Sequence, residues 1–157
     1  MKQFMIAVAV AALFVSCNKE EVIHTGDFTG TLYGIWALDT KTETYKSGNS
    51  EKTEETDYSK THFYLSLSEP RLALAKKGSF TEWDLDDVDV DAVIFAYDSN
   101  NKTISFEKTL WLSDEFFSYN MILSGTFQVL ELSDKNLILS QKDLSGKTIT
   151  YTYHRYR

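Results

Sequence analysis

The side chains of this 157-residue chain best suited to chemistry are a lone cysteine, three histidines and a row of aspartates. Asp84, Asp86, Asp87, Asp89 and Asp91 form the one dense polar cluster. In an extended segment Asp87, Asp89 and Asp91 project to one face, and converging carboxylates suit calcium. The cluster lacks the glycine and distal glutamate of an EF-hand loop, and a straight row of carboxylates does not wrap an ion. A solvated acidic rim, or a strand edge guarded against pairing, accounts for it without a metal. His62 falls opposite the apolar phase of its strand, His154 on a threonine face, and His24 ahead of the domain, so none has an evident chemical partner. Paired carboxylates for glycoside cleavage are defined by a separation in space, not in sequence. There is no nucleophile motif, phosphate loop or histidine metal pair. The expectation is a protein that is not an enzyme, with no catalytic residue, cofactor or metal.

Cys17 is the exception, because its surroundings assign it a reaction. Lys2 followed by the apolar stretch Phe4 to Val15 reads as a signal peptide, about a dozen residues long where a spanning helix needs roughly 20. Ser16 is the small residue a signal peptidase requires, and Cys17 follows it in the pattern of a bacterial lipobox, with Phe14 at the usual leucine position. Residues 1–16 are then removed, Cys17 takes the lipid, and residues 17–28 form a tether. Lys19-Glu20-Glu21 resembles the lysine-plus-acidic-pair signal that directs Bacteroidota-type lipoproteins to the outer face of the outer membrane. The expected location is the outer membrane, lipid-anchored and exposed at the cell surface, with Cys17 as the sole contact with the bilayer. Loss of Lys2 leaves 15 basic against 23 acidic residues, a formal charge of −8. Nucleic acid and anionic headgroups are therefore poor partners. With Cys17 acylated no thiol remains for an intrachain disulfide, and stability must come from packing.

The remaining chain is long enough for one domain. Thr, Ser, Tyr, Phe, Val, Ile and Leu recur in short alternating stretches separated by polar turns, an all-β pattern. Strands are predicted at Leu32–Thr40, Thr61–Ser68, Arg71–Lys76, Ala92–Tyr97, Thr103–Glu107, Tyr119–Leu132, Asn136–Gln141 and Thr148–Tyr156, with a further short one at Thr109–Leu112. Turns at 98–101, 133–135 and 143–146 carry residues that tolerate left-handed backbone or bond their own main chain. Short turns imply antiparallel neighbours. An antiparallel meander of about eight strands closes most economically into an up-and-down barrel, which leaves no exposed edges; a β-sandwich is the alternative. The Thr-, Ser-, Glu- and Lys-rich stretch Lys41–Lys60 reads as a long loop, either a lid or disordered. Phe80–Asp87 is the one segment with a helical reading, with Thr81 as its cap.

Gly34-Ile35-Trp36 on the first strand gives the barrel a family resemblance. The group, the long loop after it, and Arg155 near the end of the last strand resemble a lipocalin, and more specifically the lipocalin-like domains of Bacteroidota-type surface lipoproteins, over Thr29–Arg157. The resemblance implies that Gly34, Trp36 and Arg155 close one end of the barrel. Alternation supports this, since Ile149, Tyr151, Tyr153 and Arg155 share one face of the last strand. A guanidinium over an indole contributes roughly 0.5–2 kcal/mol.

Two functions are compatible with this fold. An eight-stranded barrel is just wide enough to be filled by its own side chains or to hold one small ligand. In the first reading Phe63, Leu65, Phe95, Tyr97, Phe106, Tyr119, Met121, Phe127, Tyr151 and Tyr153 line a site for a small apolar or amphipathic ligand, with the Lys41–Lys60 loop controlling entry. In the second the barrel is filled, and the protein is an accessory or structural envelope lipoprotein whose outer face and loops bind a protein or polysaccharide partner.

Overall fold

The computed structural model describes residues 26–78, 90–114 and 119–157. Among these the chain is all β: β1 (Gly34–Ser47), β2 (Ser50–Asp57), β3 (Phe63–Ser68), β4 (Leu72–Lys77), β5 (Val90–Asp98), β6 (Thr103–Asp114), β7 (Tyr119–Leu132), β8 (Asn136–Lys142) and β9 (Thr148–Arg155). Every pairing is antiparallel, in the order β2-β1-β3-β4-β5-β6-β7-β8-β9, and β1 also pairs with β9. The sheet therefore closes on itself. Eight strands form a lipocalin-like barrel and β2 is an extra strand on its flank; the sandwich is excluded.

Alternation explains the core. Trp36 and Leu38 from β1, Phe63, Leu65 and Leu67 from β3, Ile104 and Phe106 from β6, and Tyr151 and Tyr153 from β9 all face inward, and each is at most 4% exposed. These residues join those of β4, β5, β7 and β8 in one apolar cluster. Burial at about 25 cal/mol per Å² of apolar surface is what offsets the chain entropy in a fold without disulfides.

Two segments differ from the sequence expectation. The stretch Lys41–Lys60 is not a long loop: β1 runs on to Ser47, turns at Gly48 and Asn49, and returns as β2 with Ser47 opposite Ser50. Gly48 has φ +64°, which glycine adopts without strain at the first centre of a two-residue hairpin turn. β1 is held along this length by β9 on its other edge, from Thr40 opposite Thr152 to Thr44 opposite Thr148. β2 is almost wholly exposed and places Glu51, Lys52, Glu54 and Glu55 on the open edge, where charge opposes pairing with another chain. Likewise Thr109–Leu112 is no separate strand but the second half of β6. Four residue steps from Phe106 to Leu110 match two from Gly125 to Leu123, so a bulge interrupts the alternation without ending the strand. The helical reading of Phe80–Asp87 lies outside the described residues, as do Asp84, Asp86, Asp87 and Asp89.

A bulge in β1 has a larger effect. The register with β9 shifts between Leu38 and Thr40, so Asp39 is the extra residue and the inward phase changes from Trp36 and Leu38 to Lys41 and Glu43. Past the bulge, β1 presents charge to the inside. Outside it, the Asp39 carboxylate lies 2.7 Å from His154 Nδ1.

Candidate functional site

One end of the barrel is closed by the residues the resemblance singles out. The Arg155 guanidinium lies 4.1 Å from the centre of the Trp36 ring. Its Nε donates to Asp134 O at 3.0 Å, Nη1 to Tyr33 O at 3.1 Å, and Nη2 to Thr31 O. The indole Nε1 of Trp36 donates to Leu32 O at 3.0 Å. Arg155 thereby ties the strap ahead of β1 to the β7–β8 turn, with the indole as floor. Gly34 has φ +151°, and a Cβ there would sit 2.3 Å from Arg155 Nη1 and 2.9 Å from Arg157 O. Only glycine admits the guanidinium. The strap begins earlier than the expected end of the tether at Phe28: Asp27 O accepts from Leu132 N, Gly30 N donates to Leu132 O, and Phe28 packs on the core beneath the Lys102 ammonium.

The predicted cavity-lining side chains do converge, but on one another. Phe63, Leu65, Phe95, Phe106, Met121, Phe127, Tyr151 and Tyr153 all belong to the buried cluster, and Tyr97 and Tyr119 are half-buried against it. Phe106 meets Phe127 edge to face at 6.1 Å, Phe127 meets Tyr151 at 6.2 Å, and Tyr151 meets Tyr153 at 6.3 Å between ring centres. At the other end Tyr58 packs on Phe63 at 5.8 Å and on Tyr119 at 5.0 Å. These contacts are within the usual range for favourable aromatic pairs.

The tyrosine hydroxyls have structural partners. β8 pairs with β7 from Gln128 to Leu132, and among the described residues no strand pairs with the earlier half of β7 on that side. Side chains take over there. The Tyr58 hydroxyl donates to Asn120 O at 2.7 Å and accepts from Asn120 N at 3.0 Å. The Tyr151 hydroxyl does the same for Ile122, at 3.1 Å each way. Gln141 Nε2 donates to Ser124 O at 2.8 Å and Thr126 O at 3.0 Å. These contacts satisfy main-chain groups that a ladder would otherwise pair. Burial pushes the Tyr151 phenol up to about 12 and the Tyr153 phenol well above its usual value. Burial also raises that of Tyr58, against the lowering pull of its Asn120 bond. Sequence reasoning did not find Tyr58 or Gln141, because their partners lie 62 and 15–17 positions away.

The inward charges of β1 are paired. Glu43 receives Lys41 Nζ and Lys147 Nζ, each at 3.0 Å, and Lys41 also donates to Asn120 Oδ1 at 3.0 Å. Burial alone would raise the Glu43 carboxyl, but the two ammonium groups outweigh it and hold the carboxyl below its ordinary range. Lys147 is raised, chiefly by its bond to Glu43.

Among the described residues no group of three or more His, Cys, Asp or Glu is arranged to hold a metal ion. Asp91 Oδ2 accepts from Trp111 N at 2.9 Å and Oδ1 from Ala92 N at 3.0 Å. This carboxylate stitches β5 to β6 where their ladder has ended. His62 has φ +54° in the turn ahead of β3, not an extended strand conformation. Cys17, Lys19, Glu20 and Glu21 lie outside the described residues.

Clefts lined by described residues open on the rim and the outer wall. One of about 260 Å³ at the rim is lined by Asp57, Lys60, Thr61 and Tyr119. On the wall, one of about 360 Å³ crosses β7 and β8. Another, of about 470 Å³, lies between the β1–β2 hairpin and the β8–β9 turn. Structure and sequence together define a class: an antiparallel eight-stranded barrel with an added edge strand, its described inward side chains buried in one apolar cluster. Comparison with protein families, curated proteins and solved structures finds no match.

Proposed function

We propose that this chain is a non-enzymatic envelope lipoprotein of lipocalin-like type, anchored through Cys17 at the outer membrane and exposed on the cell surface, whose packed barrel is a scaffold for binding on its outer face and loops. The observation that carries this reading is the packing of the inward aromatic residues. The side chains a carrier would turn toward a ligand touch each other, and the Tyr151 and Tyr153 hydroxyls are bonded to Ile122 and to Met121 Sδ. The other reading, a small apolar ligand in the barrel, requires those rings to part. Each ring removed from its neighbours would forfeit about 0.5–1.5 kcal/mol of aromatic contact besides its apolar packing.

Native mass spectrometry of the full chain purified in detergent tests this reading. The expected mass is that of the acylated chain alone. A stoichiometric additional mass, released into organic solvent and recovered as one small molecule, would replace the scaffold reading with the carrier.

A further inference from the structure

β2 gives a closed barrel the open edge that closure otherwise removes. None of its residues joins the apolar cluster, so packing of the core does not account for it. The register identifies which of its peptide groups are free. The two-residue turn makes Ser47 and Ser50 a hydrogen-bonded pair, and bonded pairs recur at every second position of an antiparallel ladder. Tyr58 N donates to Asp39 O at 2.6 Å, which continues the same alternation past the end of β2. Lys52, Glu54 and Thr56 therefore direct their N–H and C=O groups to β1, whereas those of Glu51, Thr53 and Glu55 point to the open side. Among the described residues β2 pairs with β1 alone, and no turn or loop bond reaches these three residues. Main-chain donors and acceptors alternating at strand spacing suit one class of partner, an extended peptide that lies alongside as a further strand.

Side chains select among such strands. β2 carries four carboxylates against one ammonium group. Glu51, Thr53, Glu55 and Asp57 share the outward face, opposite Lys46, Thr44, Thr42 and Thr40 of β1. Thr44 and Thr53 meet there, hydroxyl to hydroxyl, at 3.1 Å. Asp57 accepts from Ser59 N and is held below the usual carboxylate range mainly by Ser59, with Lys60 adding to it. Among the described residues Glu51 and Glu55 have no hydrogen-bond or ion-pair partner, and Lys46 is the one ammonium group β1 and β2 place on this face. Lys52 and Glu54 lie on the other face, where Glu54 accepts from the Tyr45 hydroxyl. In an added antiparallel strand, lysine or arginine at alternate positions falls directly opposite Glu51 and Glu55. Opposite charges stabilise such cross-strand pairs and like charges destabilise them. A second copy of β2 centred on Thr53 would set Glu51 against Glu55, so the charge that turns a copy away admits a basic strand.

From the free peptide groups and these carboxylates we infer that β2 is a docking edge for an extended basic segment of a partner protein, which joins the sheet beyond β2 with its lysine or arginine side chains beside Glu51 and Glu55. On the scaffold reading, on which this rests, that segment is the partner of the outer face.

Fluorescence anisotropy of a labelled heptapeptide alternating lysine with threonine, titrated with the full chain in detergent, tests this. The peptide should bind, and more weakly as salt rises. Methylating the amide nitrogens of its lysines removes the donors that face β2 and should abolish binding. Methylating those of its threonines, which face away, should not. The same peptide with glutamate for lysine should not bind. In the chain, Thr53→Pro deletes the central outward N–H on an edge that tolerates proline and should weaken binding about tenfold or more, whereas Thr53→Val keeps that N–H and should not. Glu51→Gln combined with Glu55→Gln, both exposed, should weaken binding without loss of fold. If Thr53→Pro fails to fold, the two methylated peptides decide the matter on the parent chain. Equal binding of the lysine-methylated peptide or of the glutamate peptide, indifference to the glutamine pair, or no binding at all would overturn the inference. So would a dimer in sedimentation that Thr53→Pro dissociates, because a second copy would then hold the edge. A chain that binds no basic strand yet shows no bound small molecule by native mass spectrometry refutes the docking edge and leaves the scaffold reading standing.

Discussion

Replacing Tyr151 by Phe isolates what holds the bare edge of β7. The substitution removes one oxygen and keeps the ring, 1% exposed, against Phe127 and Tyr153. Lost with it are the donation to Ile122 O and the acceptance from Ile122 N, both at 3.1 Å. A net hydrogen bond is worth about 0.5–1.5 kcal/mol, and a buried peptide group left unpaired costs about 1–3 kcal/mol. The site is only part-buried, so water recovers some of this, and the expected loss is about 2 kcal/mol. Tyr153→Phe is the matched control. Its hydroxyl is fully enclosed but donates only to the Met121 thioether at 3.4 Å, a weak acceptor. Removing it should change stability by less than about 0.5 kcal/mol, because the lost bond and the relieved desolvation nearly cancel. Urea unfolding with linear extrapolation measures both, provided the slope stays that of the parent. Equal effects from the two substitutions would refute the argument that side chains replace the missing ladder.

Further outcomes follow from the same geometry. Gly34→Ala should destabilise by more than about 2 kcal/mol in a urea melt, because its Cβ would displace the Arg155 guanidinium and φ +151° is strained for alanine. Trp36→Ala should cost about 3–5 kcal/mol, and a near-neutral result would remove the indole from the core. Stability should fall as pH rises from about 10 toward 12: the Tyr151 pKa is raised by folding, so its contribution is fully present below the unfolded value near 10 and is lost through the folded value, about 12. Tyr151→Phe should flatten that alkaline limb by about 2–3 kcal/mol, because each pH unit between the unfolded and folded values is worth about 1.36 kcal/mol. Cys17→Ala should abolish palmitate labelling and membrane retention, and persistence of either would end the lipoprotein reading.

The parts of this fold legible in the sequence are those where one side of a strand is apolar. β7 is predicted at the residues where it lies, Tyr119–Leu132, because Met121, Leu123, Phe127 and Val129 keep one phase. The hairpin β1–β2 escaped because its second strand buries nothing and therefore carries no apolar phase. A signal for it was nevertheless present: Thr40, Thr42 and Thr44 alternate on one face, and Gly48-Asn49 is a turn pair. That those threonines would meet Thr152, Thr150 and Thr148 on β9 depends on the Asp39 bulge, which no local pattern announces. The same bulge decides what the hairpin offers. By turning Lys41 and Glu43 inward it brings Glu43 to Lys147, and the bond to Glu43 fixes Lys147 beside Lys46 and Lys142 at the cleft. A one-residue insertion in the first strand thus sets an ion pair between residues more than a hundred positions apart.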